Sequence, residues 1–239
     1  MKPATTKFTA HRVRQLRRKA ARAAQVSEDR GSYKWSVSPI NVMAVLAVFT
    51  SLRISDGYTL KMYQYSGGGG GNGFVYAIPA EGEFPEPTRL DYRLSNPPKP
   101  PHCLDHYMEA IEGDGTSLSY LQASILKREL KELGAEWHGC YWVEQHVLDR
   151  DPWKDERVSS YGLQSLIGPQ EFWQFDGPCP TDWQPTVIQD TETVTVSMPV
   201  FGRVGSRTIT RHIDSYLADS YQFETEYEDI ADGGGGIIF

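Results

Sequence analysis

Residues 193–229 read TVTVSMPVFGRVGSRTITRHIDSYLADSYQFETEYED, and the fold class follows from their rhythm. Val194, Val196, Met198 and Val200 alternate with Thr193, Thr195 and Ser197. After a strand-like stretch over 207–217, Tyr221, Phe223, Thr225 and Tyr227 alternate with Gln222, Glu224, Glu226 and Glu228. A period of two puts one set of side chains in a core and the other in water, as in an antiparallel meander. Glu224, Glu226 and Glu228 then share one wet face, with Asp229 and Asp232 beyond. Like charges two residues apart repel, so cross-strand partners are expected, and Arg203, Arg207 and Arg211 are the candidates.

Upstream of the meander the period changes. Leu118, Leu121, Ile125, Leu126, Leu130 and Leu133 recur at helical spacing, which predicts a helix over 117–133 closed by Gly134. Leu104, Tyr107, Met108 and Ile111 predict a shorter one over 103–112. Ser38-Pro39 followed by apolar residues at 42, 45, 46, 49 and 52 predicts a third over 39–53. Between them, 58–66 and 73–78 read as a hairpin whose tip is the glycine run 67–71 with Asn72. Seven prolines within 79–101 exclude a helix there. The resulting fold is α+β. An antiparallel sheet, made of the N-terminal hairpin plus the C-terminal meander, packs with about three helices and is preceded by a basic arm. Residues 1–34 form that arm, flexible or marginally helical. Residues 35–239 form a single body with a Pro-rich internal linker at 79–101.

Charge divides along the same line. The chain carries −7, yet residues 1–30 hold nine Lys/Arg against Glu28 and Asp29, leaving the remaining residues at −14. An acidic body with a basic arm suits self-association, an anionic partner or solubility. Arg14, Arg17, Arg18 and Arg22 fall at helical spacing, so the arm has a cationic face able to grip nucleic-acid phosphates. An Arg-rich, acid-poor start also fits a transit peptide. The longest apolar run, Val42–Phe49, has eight residues against the roughly 20 of a spanning helix. No membrane association is expected. Three cysteines are too few for a disulfide framework, so the expected setting is reducing and cytoplasmic.

Three patterns bear on chemistry. The glycine run satisfies G-x-G spacing, but a strand follows it where a phosphate loop needs a helix, and the P-loop lysine is missing. It reads as a glycine-rich loop at a hairpin tip. His102, Cys103, His106, His138, Cys140 and His146 gather within 102–146 and are residue types that zinc uses. On a strand over 137–148, His138, Cys140 and His146 share a face, while the neighbouring helix turns His106 away from whatever it packs on. No metal is therefore expected; were one bound, His106, His138, Cys140 and His146 are its candidate ligands. Finally, Tyr63 and Tyr65 share the hairpin face of Thr59 and Lys61, which predicts partly exposed rings beside the loop. Tyr63, Tyr65, Gly69 and Asn72 form one candidate contact surface, and Arg14, Arg17, Arg18 and Arg22 another.

With no catalytic signature, the sequence points to a soluble protein of non-catalytic, protein-interaction role. Its partner is another protein or a second copy, and no cofactor is implied. The alternatives are a metal-dependent or thiol enzyme using the 102–146 cluster, and nucleic-acid association through the arm.

Overall fold

The computed structural model describes residues 3–25, 34–67, 70–88, 97–136, 140–154 and 163–236. Its strands are β1 (Ala4–Lys7), β2 (Ser36–Val37), β3 (Leu52–Ile54), β4 (Tyr58–Gly67), β5 (Gly70–Pro79), β6 (Ile111–Gly113), β7 (His146–Val147), β8 (Gln174–Phe175), β9 (Thr186–Gln189), β10 (Thr193–Gly202), β11 (Ser206–Leu217) and β12 (Phe223–Gly235). Its α-helices are α1 (Ala10–Ala23), α2 (Val42–Leu46), α3 (Ser117–Lys131) and α4 (Leu163–Ile167). The fold is α+β with antiparallel sheets. The chain groups into two compact units, with limits other than the boundary read at residue 34. One comprises Met1–Arg14, Val143–Ala218 and Phe223–Phe239; the other comprises Gln15–Trp142 and Asp219–Gln222.

The first unit is built on a seven-stranded sheet in the order β1-β9-β10-β11-β12-β8, with β7 also on β10. The meander is β10–β11–β12. β10 pairs with β11 from Thr193↔Leu217 to Gly202↔Thr208, and β11 with β12 from Tyr216↔Phe223 to Ser206↔Gly235. Val194, Val196, Met198 and Val200 are buried as their alternation requires. Further along, Phe201 and Ile209 are fully buried as well, on the opposite face. They pack in a cluster with Leu148, Leu163, Ile167, Trp173, Trp183, Ile230 and Ala231. Trp153 joins it edge-on, 5.7 Å from Trp173 and 6.1 Å from Trp183. Trp153, Trp173 and Trp183 thus supply the aromatic cover of that sheet end.

Within the segment expected as an arm, Ala4–Lys7 pairs antiparallel with β9 and Phe8 N–H donates to Pro185 O at 2.8 Å. Phe8, Ala10 and Val13 are buried, and Ala10 N–H donates to Asp149 Oδ2 at 2.8 Å. Sparse apolar residues suffice here because backbone pairing supplies the attachment.

The second unit carries the β4–β5 hairpin, with β2 on the outer side of β4, and a two-stranded β3–β6 ladder. The hairpin is in register from Tyr58↔Pro79 to Gly67↔Gly70. Gly73 is where α3's end touches it: a Cβ there would lie 1.8 Å from Leu133 O. Helix α3 begins at N-cap Thr116, whose hydroxyl accepts from Ser119 N–H, and runs to Lys131. Gly134 takes φ +79 just beyond it, the left-handed position expected of a C-terminal cap. At the other end of α3, Tyr221 stacks on Tyr120 at 4.8 Å, and its hydroxyl accepts from Gly115 N–H at 2.9 Å. Burial pushes the Tyr120 phenol up to about 12.

Several expectations need correcting. The helix read over 39–53 is only α2, capped by Asn41 rather than Ser38. Ser38 instead bonds to the hairpin, its N–H to Met62 O and its hydroxyl to Gln64 Oε1. The chain leaves the helix in time for Leu52–Ile54 to pair with β6. The helix read over 103–112 is a single 3-10 turn at Tyr107–Ala110. Of the strand read over 137–148, the described residues 140–148 form strand only at His146–Val147, and 141–144 is a turn. Tyr227 is 64% exposed despite its phase, and a bulge at Ile230 resets the alternation so that Ile230 and Ala231 are both buried.

Tyr63 is the largest correction. It is fully buried, because residues downstream of β5 fold back over the odd-numbered hairpin face. Phe84 stacks on its ring at 4.3 Å, and its hydroxyl donates to Pro85 O at 2.7 Å. Trp35 covers the next position, 5.6 Å from Tyr65 and 5.5 Å from Phe74. Tyr63→Ala is therefore expected to cost about 3–5 kcal/mol, as for other buried aromatics. Tyr63→Phe should cost about 1 kcal/mol for the lost hydrogen bond. Urea unfolding followed by tryptophan fluorescence checks both. A neutral Tyr63→Ala would return the ring to the surface.

Candidate functional site

The sequence-derived candidates do not converge. Gly69 and His138 lie outside the described residues. Tyr63 is buried, Tyr65 is half-buried under Trp35, and Asn72, across the ladder from Tyr65, is exposed. The base of the glycine tip is held: Glu136 N–H donates to Gly71 O at 3.0 Å. His106 caps the 3-10 turn. Its Nδ1 accepts from Met108 N–H at 3.1 Å while the His106 backbone N–H donates to Glu109 Oε1 at 2.7 Å. Burial, with a lesser push from Lys127, lowers its pKa and keeps the imidazole neutral, as that acceptor role requires. Cys140 Sγ is 3.4 Å from Ala135 O. His146 belongs to the first unit and lies 6.1 Å from Phe201, whereas His106 and Cys140 belong to the second. Among the described residues no group of three His, Cys, Asp or Glu side chains is placed to hold a metal.

Two thiols sit in surroundings that suppress reactivity. Burial raises the pKa of Cys103, partly countered by Lys99. Burial raises that of Cys179 too, reinforced by Asp151. A raised pKa means less thiolate at neutral pH, the reverse of an activated nucleophile.

The four arginines of α1 separate. Arg17 faces inward, with Nε 2.9 Å from Glu129 Oε1 and Nη2 donating to Trp142 O at 2.6 Å. Its guanidinium lies over the Trp142 ring at 4.2 Å. The same Glu129 oxygen accepts Trp142 Nε1–H at 2.7 Å. This is a structural clasp between α1, α3 and Trp142, with charge-assisted bonds and cation–π contact acting together. Arg14 is half-buried; Arg18 and Arg22 are exposed.

The feature that sequence reasoning missed is the outer edge of β12. Over Glu224–Asp229 this strand pairs with β11, and among the described residues no strand pairs with its other edge until Asp176 N–H donates to Ile230 O at 3.0 Å and β8 meets Ala231 and Asp232. Glu224, Glu226, Tyr227, Glu228 and Asp229 on this stretch are all exposed. Only Glu228 has the expected arginine, with Arg211 Nε at 3.4 Å. Arg203 turns instead to Glu144, with Nε 2.8 Å from Oε2. Arg207 donates to Gly233 O at 2.6 Å, because the register sets it beside the strand's glycine end rather than its glutamates. Where β8 begins, Gln174, Phe175, Asp176, Thr208, Asp229 and Asp232 line a groove of about 330 Å³. The acidic alternation was visible in the sequence; which edge would stay open depends on strand order, and that was not.

Compared with protein-family models, curated proteins and solved structures, the chain matches none. No described helix is long and apolar enough to cross a membrane.

If the thiols are as protected as their surroundings imply, iodoacetamide at pH 7 should alkylate Cys103 and Cys179 more slowly than free cysteine. The rate should climb as the pH passes the ordinary thiol value of 9.0. Mass spectrometry of the labelled peptides reads both sites separately. Labelling faster than free cysteine at pH 7 would favour the thiol-enzyme alternative.

Proposed function

We propose that the chain is a non-catalytic protein-interaction protein whose first-unit sheet accepts an extra strand along the outer edge of β12. The observation that carries this reading is the pairing of Glu224–Asp229 with β11, with no strand on the other side among the described residues. Each residue of a strand presents one N–H and one C=O in the sheet plane, so an unpaired edge is a row of donors and acceptors suited to an extended segment.

The side chains select the partner. Glu224, Glu226, Glu228 and Asp229 repel a second copy of the same edge, which protects against edge-to-edge aggregation. The same charges attract an extended segment rich in lysine or arginine, and they steer its approach. At the β8 end, Asp176, Asp229 and Asp232 line the groove, so a cationic side chain of the docked segment would meet carboxylates there. Backbone pairing supplies affinity, and alternate side chains supply selectivity.

The test is hydrogen exchange on the full chain with synthetic extended peptides alternating threonine with lysine, glutamate or serine. The lysine peptide should slow exchange of amides within 223–229, the serine peptide less, and the glutamate peptide not at all. Reversing the edge charges with E224K/E226K should invert the order. Peptides that protect other segments, or protect 223–229 regardless of charge, would refute the reading.

A further inference from the structure

We propose that the exposed face of α1 in the second unit is a contact surface for a nucleic-acid phosphate backbone, read without base recognition. This stands apart from the reading of the sheet edge and uses different residues.

Helix α1 has the sequence AHRVRQLRRKAARA and contains no acidic residue. Most surface helices relieve their cations with carboxylates three or four positions away; this one has none to offer. Its inner side is committed: Ala20 is buried, and Arg17 is held in the clasp of Glu129 and Trp142. From residue 15 to residue 25 the exposed positions are Gln15, Arg18, Lys19, Ala21, Arg22 and Gln25. Among the described residues Arg18, Lys19 and Arg22 have no ion-pair partner. Arg18 and Arg22 are one turn apart and repel each other, and the clasp holds the helix against that repulsion.

The composition of this face distinguishes between anionic partners. A protein partner needs an apolar centre to exclude water, and a methyl group at Ala21 is all the face provides. A phosphate backbone needs no apolar surface, since its affinity comes from releasing condensed counterions. Arginine suits it further, because a guanidinium can bond two phosphate oxygens at once. No exposed aromatic lies on this stretch to stack a base, so sequence preference is not expected. The chain's overall −7 does not oppose contact at this range, because charges more than about 8 Å away are screened at physiological salt.

Fluorescence anisotropy of the full chain with a labelled DNA duplex and a labelled single-stranded RNA tests this. Three phosphate contacts predict a log–log salt slope of about −2.7 on duplex, or roughly a forty-fold loss between 50 and 200 mM salt, and about −2.1 on a single strand. Whichever probe binds identifies the source of the phosphates, and two probes of unrelated sequence should bind alike. R18A/K19A/R22A should weaken binding at least tenfold with its melting temperature unchanged. K34A/K131A/K154A, which removes equal charge elsewhere, should retain it. No binding of either probe at 50 mM salt, equal loss in both triple variants, or displacement by polyglutamate as effective as by unlabelled duplex would each overturn the proposal.

Discussion

Every peptide group that enters a sheet must find a partner in it or in water, and strand β11 shows the consequence. It is paired along nearly its whole length on both sides, to β10 and to β12. Its polar backbone is therefore satisfied inside the sheet, and its side chains are free to divide between two faces. Unpaired groups are displaced outward, to the ends of the strand order. At the β12 end the relief is partial, because β8 is a two-residue strand that meets Ala231 and Asp232, with Asp176 N–H just beyond it donating to Ile230 O. The remaining row faces outward beneath a fringe of carboxylates. The candidate site is thus where the sheet runs out of strands.

Much of this was legible in residues 193–229, because side-chain period reports strand and face together. The same reading loses the face at a bulge. Ile230 is one residue more than β11 can match, so Ile230 and Ala231 are both buried. The stretch 42–49 misled in another way. An apolar run is compatible with a long helix or with one turn flanked by buried coil, and the choice is made by Leu52–Ile54 pairing with residues 111–113. Tyr63 and Tyr65 looked outward because their neighbours Thr59 and Lys61 are polar. The covers, Trp35 and Phe84, come from separate segments, and nothing local announces them.

The charged residues divide similarly. Arg14, Arg17, Arg18 and Arg22 are equivalent by spacing, but Trp142 and Glu129 take only Arg17. Helical periodicity identified the basic character of the segment and could not say which cations were occupied. The histidines and cysteines of 102–146 were grouped by closeness in sequence. In the fold His106 is a cap acceptor, Cys140 contacts a carbonyl, and His146 lies in the other unit. Proximity along the chain becomes a site only if the intervening residues return, and here a turn at 141–144 replaces the strand that would have aligned them.

If β12 keeps an open edge, native-state hydrogen exchange of the free chain should show it residue by residue. Amides of 224–229 that point toward β11 should be protected, and those that point outward should exchange near the rate of unstructured peptide, giving an alternating pattern that stops at Ile230. Uniform protection through 224–229 would mean that another segment already covers the edge, and would rule out strand addition there.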